Sequence, residues 1–338
     1  MSTASKSPAS RMNRRDAPQQ PSRRPTPAHP HEAAGPLFAR FARPRTATET
    51  TLAIISDVHL STRESGSWKV YHRTEQRLET AIADINGRGV DGVVFTGDLT
   101  ENGERGDFER VADLVSKLDP PAVAVPGNHD VPKEFDHHES ATLEWFEETF
   151  TPGGLPFETR IGGIDVVGLD SATGPGDSLS DTHKGKISAA QVAWLDEVLD
   201  GAICPLVVMH HNLPGMLDLT GGVSWRSSFP MLDYDPLVEV LETHDVPLTL
   251  SGHLHIPAVA RTERVNELIC PALSSFPQGY LLVTVNGEGT TVRYVPVADP
   301  EGTAEAYMLA QDYSDRSKAV AELTQHHLDS LPLYDDFA

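Results

Sequence analysis

The chain has 338 residues, of which 39% are hydrophobic, and it contains 26 glycines and 26 prolines. This length and composition fit one large α/β domain or two smaller domains, and they exclude a fibrous or fully disordered protein. No stretch approaches the roughly 18–20 apolar residues that a membrane-spanning helix needs, so we expect no membrane partner.

The charge is strongly acidic and unevenly distributed. The chain carries 27 basic and 49 acidic residues, a formal net charge of −22. Residues 1–50 hold nine basic and three acidic residues, a net +6, which leaves −28 for residues 51–338. Such a body repels polyanions, so nucleic acid is not an expected partner. Acid excess with few lysines predicts a halophilic protein; an ordinary acidic cytosolic protein is the alternative.

The cysteines and the N-terminal sequence predict the cellular compartment of the protein. Cys204 and Cys270 are far apart in apolar surroundings, which predicts buried free thiols and no disulfide or thiolate metal site. The arginine pairs at 14–15 and 23–24 are not followed by an apolar run. We therefore predict no secretory signal and a cytoplasmic location.

Three regions are predicted in chain order. Residues 1–48 are rich in Ser, Pro, Arg and Ala without hydrophobic period, so we predict a disordered basic tail that is dispensable for folding and hydrolysis. Only residues 36–41 indicate local docking. Residues 49–300 are predicted to form the catalytic domain, and residues 301–338 an acidic C-terminal helical extension.

Strands and helices alternate from residue 51 onward. Strands are predicted at Thr51–Ile55, Gly92–Thr96, Ala122–Val125, Asp165–Leu169, Pro205–Met209 and Pro247–Leu250. Helices are predicted at Glu75–Asn86, Asp107–Leu118, Ala141–Thr149, Ser188–Leu199 and Leu237–His244. This order favours layered α/β structure, with the first three strands as parallel neighbours.

The pattern changes after residue 255. Four further strands are predicted at Val259–Val265, Glu267–Ile269, Gly279–Val285 and Thr290–Val295. Asn286-Gly287 lies in the turn between the last two, which predicts a hairpin.

Five polar motifs directly follow predicted strands. They are Asp57-Val58-His59, Gly97-Asp98, Gly127-Asn128-His129-Asp130, His210-His211 and Gly252-His253-Leu254-His255. Ligands bind beyond the carboxyl ends of strands in open α/β sheets, so the motifs should converge. If Asp57 and His59 continue their strand, both side chains point to one side. Each motif alone is common at turns, but five in order predict one metal site. Oxygen and imidazole donors without sulfur suit Mn²⁺, Fe or Zn²⁺.

The ordered motifs resemble those of the calcineurin-like metallophosphoesterase superfamily, over about residues 51–300. Residues 185–188 and 271–277 (Gly-Lys-Ile-Ser and Pro-Ala-Leu-Ser-Ser-Phe-Pro) resemble its class III phosphodiesterase-like branch. The resemblance implies a four-layered α/β/β/α sandwich.

It also implies a centre of two divalent transition metal ions. The first ion would be bound by Asp57, His59 and His255, and the second by Asn128, His210 and His253, with Asp98 bridging both. His129 would face the leaving-group oxygen as a general acid, and Asp130 would orient it.

The implied reaction is hydrolysis of a small phosphate ester by a hydroxide held between the metals. A phosphodiester is slightly favoured. A phosphomonoesterase or protein phosphatase on the same site is the alternative, and a catalytically inactive interaction scaffold is an alternative of another class. Cyclic-nucleotide-type members often carry an Arg near the Asn-His-Asp motif, where this chain has Val131-Pro132-Lys133. The sequence therefore leaves the native substrate, the metal identities and the oligomeric state open. Tyr71-His72 and Trp225-Arg226 are candidates for lining the substrate mouth.

Overall fold

Two β-sheets lie face to face in a computed structural model that describes residues 35–62, 66–133, 138–172, 174, 184–220 and 229–338. The first sheet has the order β13 (Tyr334–Asp335), β1 (Leu37–Phe41), β12 (Thr290–Pro296), β11 (Gly279–Val285), β2 (Thr50–Ile55), β3 (Gly92–Phe95) and β4 (Ala122–Ala124). The second has the order β5 (Phe157–Ile161), β6 (Ile164–Gly168), β7 (Pro205–Val208), β8 (Leu248–Ser251), β10 (Val265–Ile269) and β9 (Ala258–Thr262).

Helices cover the outer face of each sheet. On the first sheet lie α1 (Tyr71–Arg88), α2 (Arg105–Val115) and α3 (Leu143–Phe150), and on the second lie α4 (Ala189–Leu199) and α6 (Asp235–Thr243). The remaining helices are α5 (Met216–Leu219), α7 (Pro300–Tyr313) and α8 (Asp315–Asp329). The predicted α/β/β/α sandwich is confirmed.

Strand β2 shows why the central strands read as continuous apolar runs. Its Leu52 and Ile54 pack between the two sheets, whereas Ala53 and Ile55 pack under the outer helices. Successive side chains of a strand point to opposite faces, and here both faces are covered. Strands β2, β3 and β4 are parallel neighbours, as are β6, β7 and β8, so the predicted crossover arrangement is confirmed.

The last two long strands form the predicted hairpin. Strands β11 and β12 pair antiparallel, and Asn286 Oδ1 accepts hydrogen bonds from the backbone N–H groups of Glu288 and Gly289 in the turn. The break predicted near residue 266 is wrong: β9 and β10 turn at Glu263, whose φ is +50°. Strand β5 was not predicted, although its buried and exposed residues alternate.

The predicted boundary of the disordered tail, residue 48, lies too far along the chain. Strand β1 lies inside residues 1–48 and pairs with β12 and β13, and its Phe38 and Phe41 are fully buried between the sheets. The prediction of disorder is therefore wrong for residues 37–41, while residues 1–34 lie outside the described part. The strand was missed because its partners follow about 250 residues later, so no local pattern reveals the pairing.

The C-terminal extension packs onto the catalytic body. Helices α7 and α8 bury Ala306, Ala310 and Ala321 against Val70 and Phe276. Residues 34–338 accordingly form one compact unit. Across the residues that the structure describes, every helix is too short or too polar to cross a lipid bilayer.

Candidate metal centre

The predicted ligands sit on tightly curled loops rather than on continued strands. Asp57, His59, Asp98, His253 and His255 have backbone φ angles between +45° and +67°. This left-handed conformation is uncommon for residues other than glycine and clusters at functional sites. The expectation that extended geometry aligns Asp57 with His59 is therefore wrong. Backbone hydrogen bonds from their N–H groups to the carbonyl oxygens of Gly97 and Asp98 hold the loop instead.

One half of the centre contains Asp57, His59 and His255. His255 Nε2 lies 3.2 Å from Asp57 Oδ1 and 3.1 Å from His59 Nε2. His59 Nε2 lies 3.7 Å from the same carboxylate oxygen. All three side chains are buried, and their donor atoms lie within 4.8 Å of one another.

The other half contains Asp98, His210 and His253, whose donor atoms also lie within 4.8 Å of one another. Asp98 joins the two halves because its Oδ2 lies 3.3 Å from His210 Nε2 and 3.4 Å from His59 Nε2. A side chain at position 127 would exclude this carboxylate, since a Cβ on Gly127 would lie 2.1 Å from Asp98 Oδ1. The glycine of the third motif therefore makes room for the shared carboxylate.

Outer hydrogen bonds orient three of the imidazoles. His210 Nδ1 lies 2.8 Å from the carbonyl oxygen of Thr96, and His255 Nδ1 lies 2.8 Å from Ser275 Oγ. His59 Nδ1 lies 2.8 Å from Glu101 Oε2. Such partners fix the ring and its tautomer in metal sites, and here they turn each Nε2 toward the centre.

The donor set passes a test of fit to metal. Within the described residues, Asn128 Oδ1 is buried and makes no hydrogen bond. Buried polar atoms are normally satisfied, so this amide oxygen calls for another partner. Carboxylate, amide and imidazole donors suit divalent transition metals. Asn128 lines the same small cavity as Asp98 and His253, of about 40 Å³. Larger depressions of about 480 and 800 Å³ lie elsewhere on the surface.

The electrostatics favour ionised carboxylates. Burial opposes ionisation of Asp57 and Asp98, but neighbouring histidines hold the pKa of both well below the usual range. Burial alone would lower the pKa of His210, yet Asp98 raises it to about 9. Burial lowers the pKa of His255 to about 4. Metal binding therefore has to displace a proton from His210, the usual coupling of ligation to protonation.

His129 lies at the edge of the centre, facing the cavity. Its Nδ1 lies 2.6 Å from the carbonyl oxygen of Glu101, which directs Nε2 toward the cavity and to 3.4 Å from Lys69 Nζ. Burial and the charge of Lys69 lower the pKa of His129 to about 3. In the metal-free protein its imidazole is therefore neutral at pH 7.

The Asp130 side chain has different hydrogen-bond partners from the one predicted. Its carboxylate accepts hydrogen bonds from the backbone N–H groups of Leu99, Thr100 and Gly127, each at 3.0 Å. The prediction that Asp130 orients His129 is therefore wrong, because the Glu101 carbonyl oxygen does so. Asp130 instead joins the loop that carries Asp98 to the loop that carries Asn128.

Sequence reasoning missed Lys69 and Glu101. Lys69 Nζ lies 2.8 Å from Glu101 Oε2 and 3.3 Å from His59 Nδ1, so the pair braces one predicted ligand from behind. Glu101 follows Asp98 by three residues, which is a weak signal, and nothing near Lys69 marks it. Of the mouth candidates, His72 contacts Glu305 of α7, and Trp225-Arg226 lie outside the described residues.

Comparison with known proteins decides the family. The calcineurin-like phosphoesterase family model matches residues 50–257. The chain belongs to this family. The match confirms the resemblance predicted from the motifs, and it makes the protein a hydrolase of phosphoric esters.

Relatives of this calcineurin-like phosphoesterase include named phosphodiesterases. It is 26% identical over 251 residues to a probable cyclic nucleotide phosphodiesterase from Synechococcus sp., covering 71% of this chain and 89% of the relative. It is 32% identical over 216 residues to a cAMP/cGMP dual specificity phosphodiesterase from Mycobacterium tuberculosis, covering 60% of each. A dimetal phosphatase from Danio rerio shares the fold, with a TM-score of 0.59 and 14% identity over 74% of this chain and 97% of the other.

Proposed function

We propose that this phosphoesterase hydrolyses small phosphodiesters at a centre of two divalent transition metal ions. The observation that carries the proposal is the pair of donor clusters joined by one buried carboxylate, Asp98. Asp57, His59 and His255 would hold one ion, Asn128, His210 and His253 the other, and Asp98 both. Mn²⁺, Fe or Zn²⁺ bound there would supply Lewis acidity that activates water and neutralises phosphoryl oxygens.

The protein's own groups would position the ester and assist the leaving oxygen. His129 presents Nε2 to the cavity, while its neutral ring carries its proton on Nδ1, facing the Glu101 carbonyl oxygen. To assist the leaving oxygen, Nε2 would take up a proton when the anionic ester binds and then pass it on. Lys69 is the cation within reach of Nε2, at 3.4 Å, and it stabilises negative charge on that side. Asp130 keeps the loops of Asp98 and Asn128 in register through its three backbone hydrogen bonds.

The names of the relatives support a diester substrate. Both the Synechococcus and the mycobacterial relatives are described as cyclic nucleotide phosphodiesterases. We therefore infer a diester with a small organic group, and keep a cyclic nucleotide as one member of that class. The charge of −28 over residues 51–338 supports a cytoplasmic, salt-adapted protein that does not bind nucleic acid.

A metal-dependent substrate panel tests the proposal. Protein stripped by chelation and reloaded with Mn²⁺, Fe²⁺ or Zn²⁺ is assayed on cyclic nucleotides, bis-nitrophenyl phosphate, a glycerophosphodiester and matched monoesters. Higher kcat/KM on diesters, together with about two metals per chain by elemental analysis, is the expected result. Higher kcat/KM on monoesters favours the phosphomonoesterase or protein phosphatase alternative. No turnover with any metal leaves an interaction scaffold.

A further inference from the structure

Helix α8 forms part of the wall of the metal-site cavity, although it lies beyond the residues that match the family. The family match ends at residue 257, and α8 spans Asp315–Asp329. Arg316 and Val320, one turn apart on α8, line the cavity together with Asp98, His129 and the two ligands of the last motif. The C-terminal extension therefore supplies a cation to the same space that the predicted metal ligands face.

Arg316 is held in place by aromatic contact. Its guanidinium carbon lies 4.5 Å from the centroid of the Phe229 ring, a cation–π geometry. The Phe229 ring in turn lies 4.9 Å from the ring of His253. Arg316, Phe229 and the predicted metal ligand His253 thus lie in contact one after another, which places the guanidinium beside the second half of the centre.

The helix under Arg316 is anchored as well. The next residue, Ser317, is fully buried, and its hydroxyl donates a hydrogen bond to the carbonyl oxygen of Ala310 on α7. Val320 is buried among Met216, Leu254 and Ile256, so the helix packs on the loop that carries His253 and His255. The two buried anchors that follow Arg316 on the helix distinguish it from a surface arginine that only samples solvent.

A cation at this position would attract an anionic substrate to an otherwise acidic protein. The body of the protein carries −28, so an anionic ester meets repulsion as it approaches. Lys69, the cation on another wall of the cavity, is engaged by Glu101 at 2.8 Å. The guanidinium of Arg316 is charged at all working pH values, and its planar fork matches two phosphoryl oxygens.

We propose that Arg316 binds an anionic oxygen of the phosphoryl group, so that the C-terminal helix is part of the substrate site. This inference rests on the proposed phosphoesterase function and adds a specificity-determining residue to it. The same contact binds inorganic phosphate, the simplest ligand with that chemistry. Binding of inorganic phosphate therefore reports on Arg316 without any turnover.

The test compares Arg316→Gln, Arg316→Lys and the control Lys318→Gln, each loaded with metal, at constant ionic strength. Lys318 lies on the same helix, half exposed, with its Nζ 4.0 Å from Glu322. Titration calorimetry with inorganic phosphate should give a Kd that rises on the order of 10–100-fold in Arg316→Gln, as for loss of a charge-assisted hydrogen bond. Arg316→Lys should lose less, and Lys318→Gln should match the wild type.

Kinetics provide the second readout. With a diester, Arg316→Gln should raise KM in step with the phosphate Kd, while metal content and melting temperature stay at wild-type values. Equal phosphate affinity in the wild type and Arg316→Gln, or no phosphate binding by either, overturns the assignment. A wild type that binds phosphate through Arg316 but hydrolyses no ester refutes the proposed function and leaves this anion contact standing.

Discussion

Deleting residues 1–48 should destabilise the protein severely, whereas deleting residues 1–34 should leave it folded. The shorter deletion removes only chain whose sequence lacks hydrophobic period. The longer one also removes strand β1, which lies between β12 and β13 in the first sheet. Comparing the two truncations therefore separates the effect of losing the polar tail from the effect of losing strand β1.

The magnitude follows from the side chains that β1 buries. Phe38 and Phe41 have no exposed surface. Burial of each contributes about 1.5–3 kcal/mol, so the pair contributes roughly 3–6 kcal/mol before the lost strand pairing is counted. The free energy of unfolding of a typical protein is about 5–15 kcal/mol, so this loss would remove a large part of the stability. The single change Phe41→Ala, which also removes the stacking on Tyr334 at 5.0 Å, should cost about 3–5 kcal/mol.

Thermal melts followed by circular dichroism measure the effect. Phe41→Ala should lower the melting temperature by on the order of 10 °C. Phe337→Ala is the matched control, because Phe337 is 51% exposed and contacts Arg40 on the same edge. Its unfolding free energy should change by no more than about 0.5 kcal/mol. If the 1–48 deletion melts and turns over like the 1–34 deletion, the stabilising role of β1 is refuted.

Four further outcomes are expected. Asp98→Asn should weaken metal binding in both halves of the centre, and elemental analysis showing full metal content with full activity would contradict the shared-carboxylate assignment. His129→Ala should cost little on nitrophenyl esters, which lose a stable anion, and up to roughly 10²–10⁴-fold in kcat/KM on alkyl esters; equal losses at verified metal content argue against a proton donor. Stability and activity should rise with salt, because the Debye length, the range over which the acidic residues repel one another, falls from about 30 Å at 0.01 M to about 3 Å at 1 M. A melting temperature that does not change with salt concentration would remove the halophilic interpretation. Burial raises the pKa of Glu267 from 4.5 to about 7, so its contribution to stability is full below pH 4.5 and is lost as the pH rises to 7; Glu267→Gln should flatten that fall, and an unchanged slope of melting temperature against pH would disprove it.

The fold and the main cluster could be read from local patterns. Each central strand is a short apolar run, and each motif follows its run directly, as with Asp98 after β3. Since parallel strands end at one edge, strand order alone brings these residues near one another. The distances among Asp57, His59, Asp98 and His210 agree with that expectation.

The backbone conformation and the hydrogen-bond partners of the same residues could not be predicted from the sequence. The positive φ angles of Asp57 and His59 depend on hydrogen bonds to a loop about 40 residues away. Asp130 follows His129 in sequence, yet its carboxylate turns away to the backbone of Leu99 and Thr100. Sequence adjacency does not determine which of several donors a buried carboxylate meets, because that depends on how two loops pack.

Periodicity and short-range motifs were enough to predict the alternating strands and helices and the polar residues at the strand ends. The resemblance carried by those motifs implied the sandwich and the family. Three features became visible only in three dimensions: β1 belongs to the sheet, Glu101 and Lys69 brace His59, and Arg316 reaches the cavity. Those contacts join residues that are tens to hundreds of positions apart. They are fixed by burial and packing of whole elements against one another, which leaves no periodic trace in the local sequence.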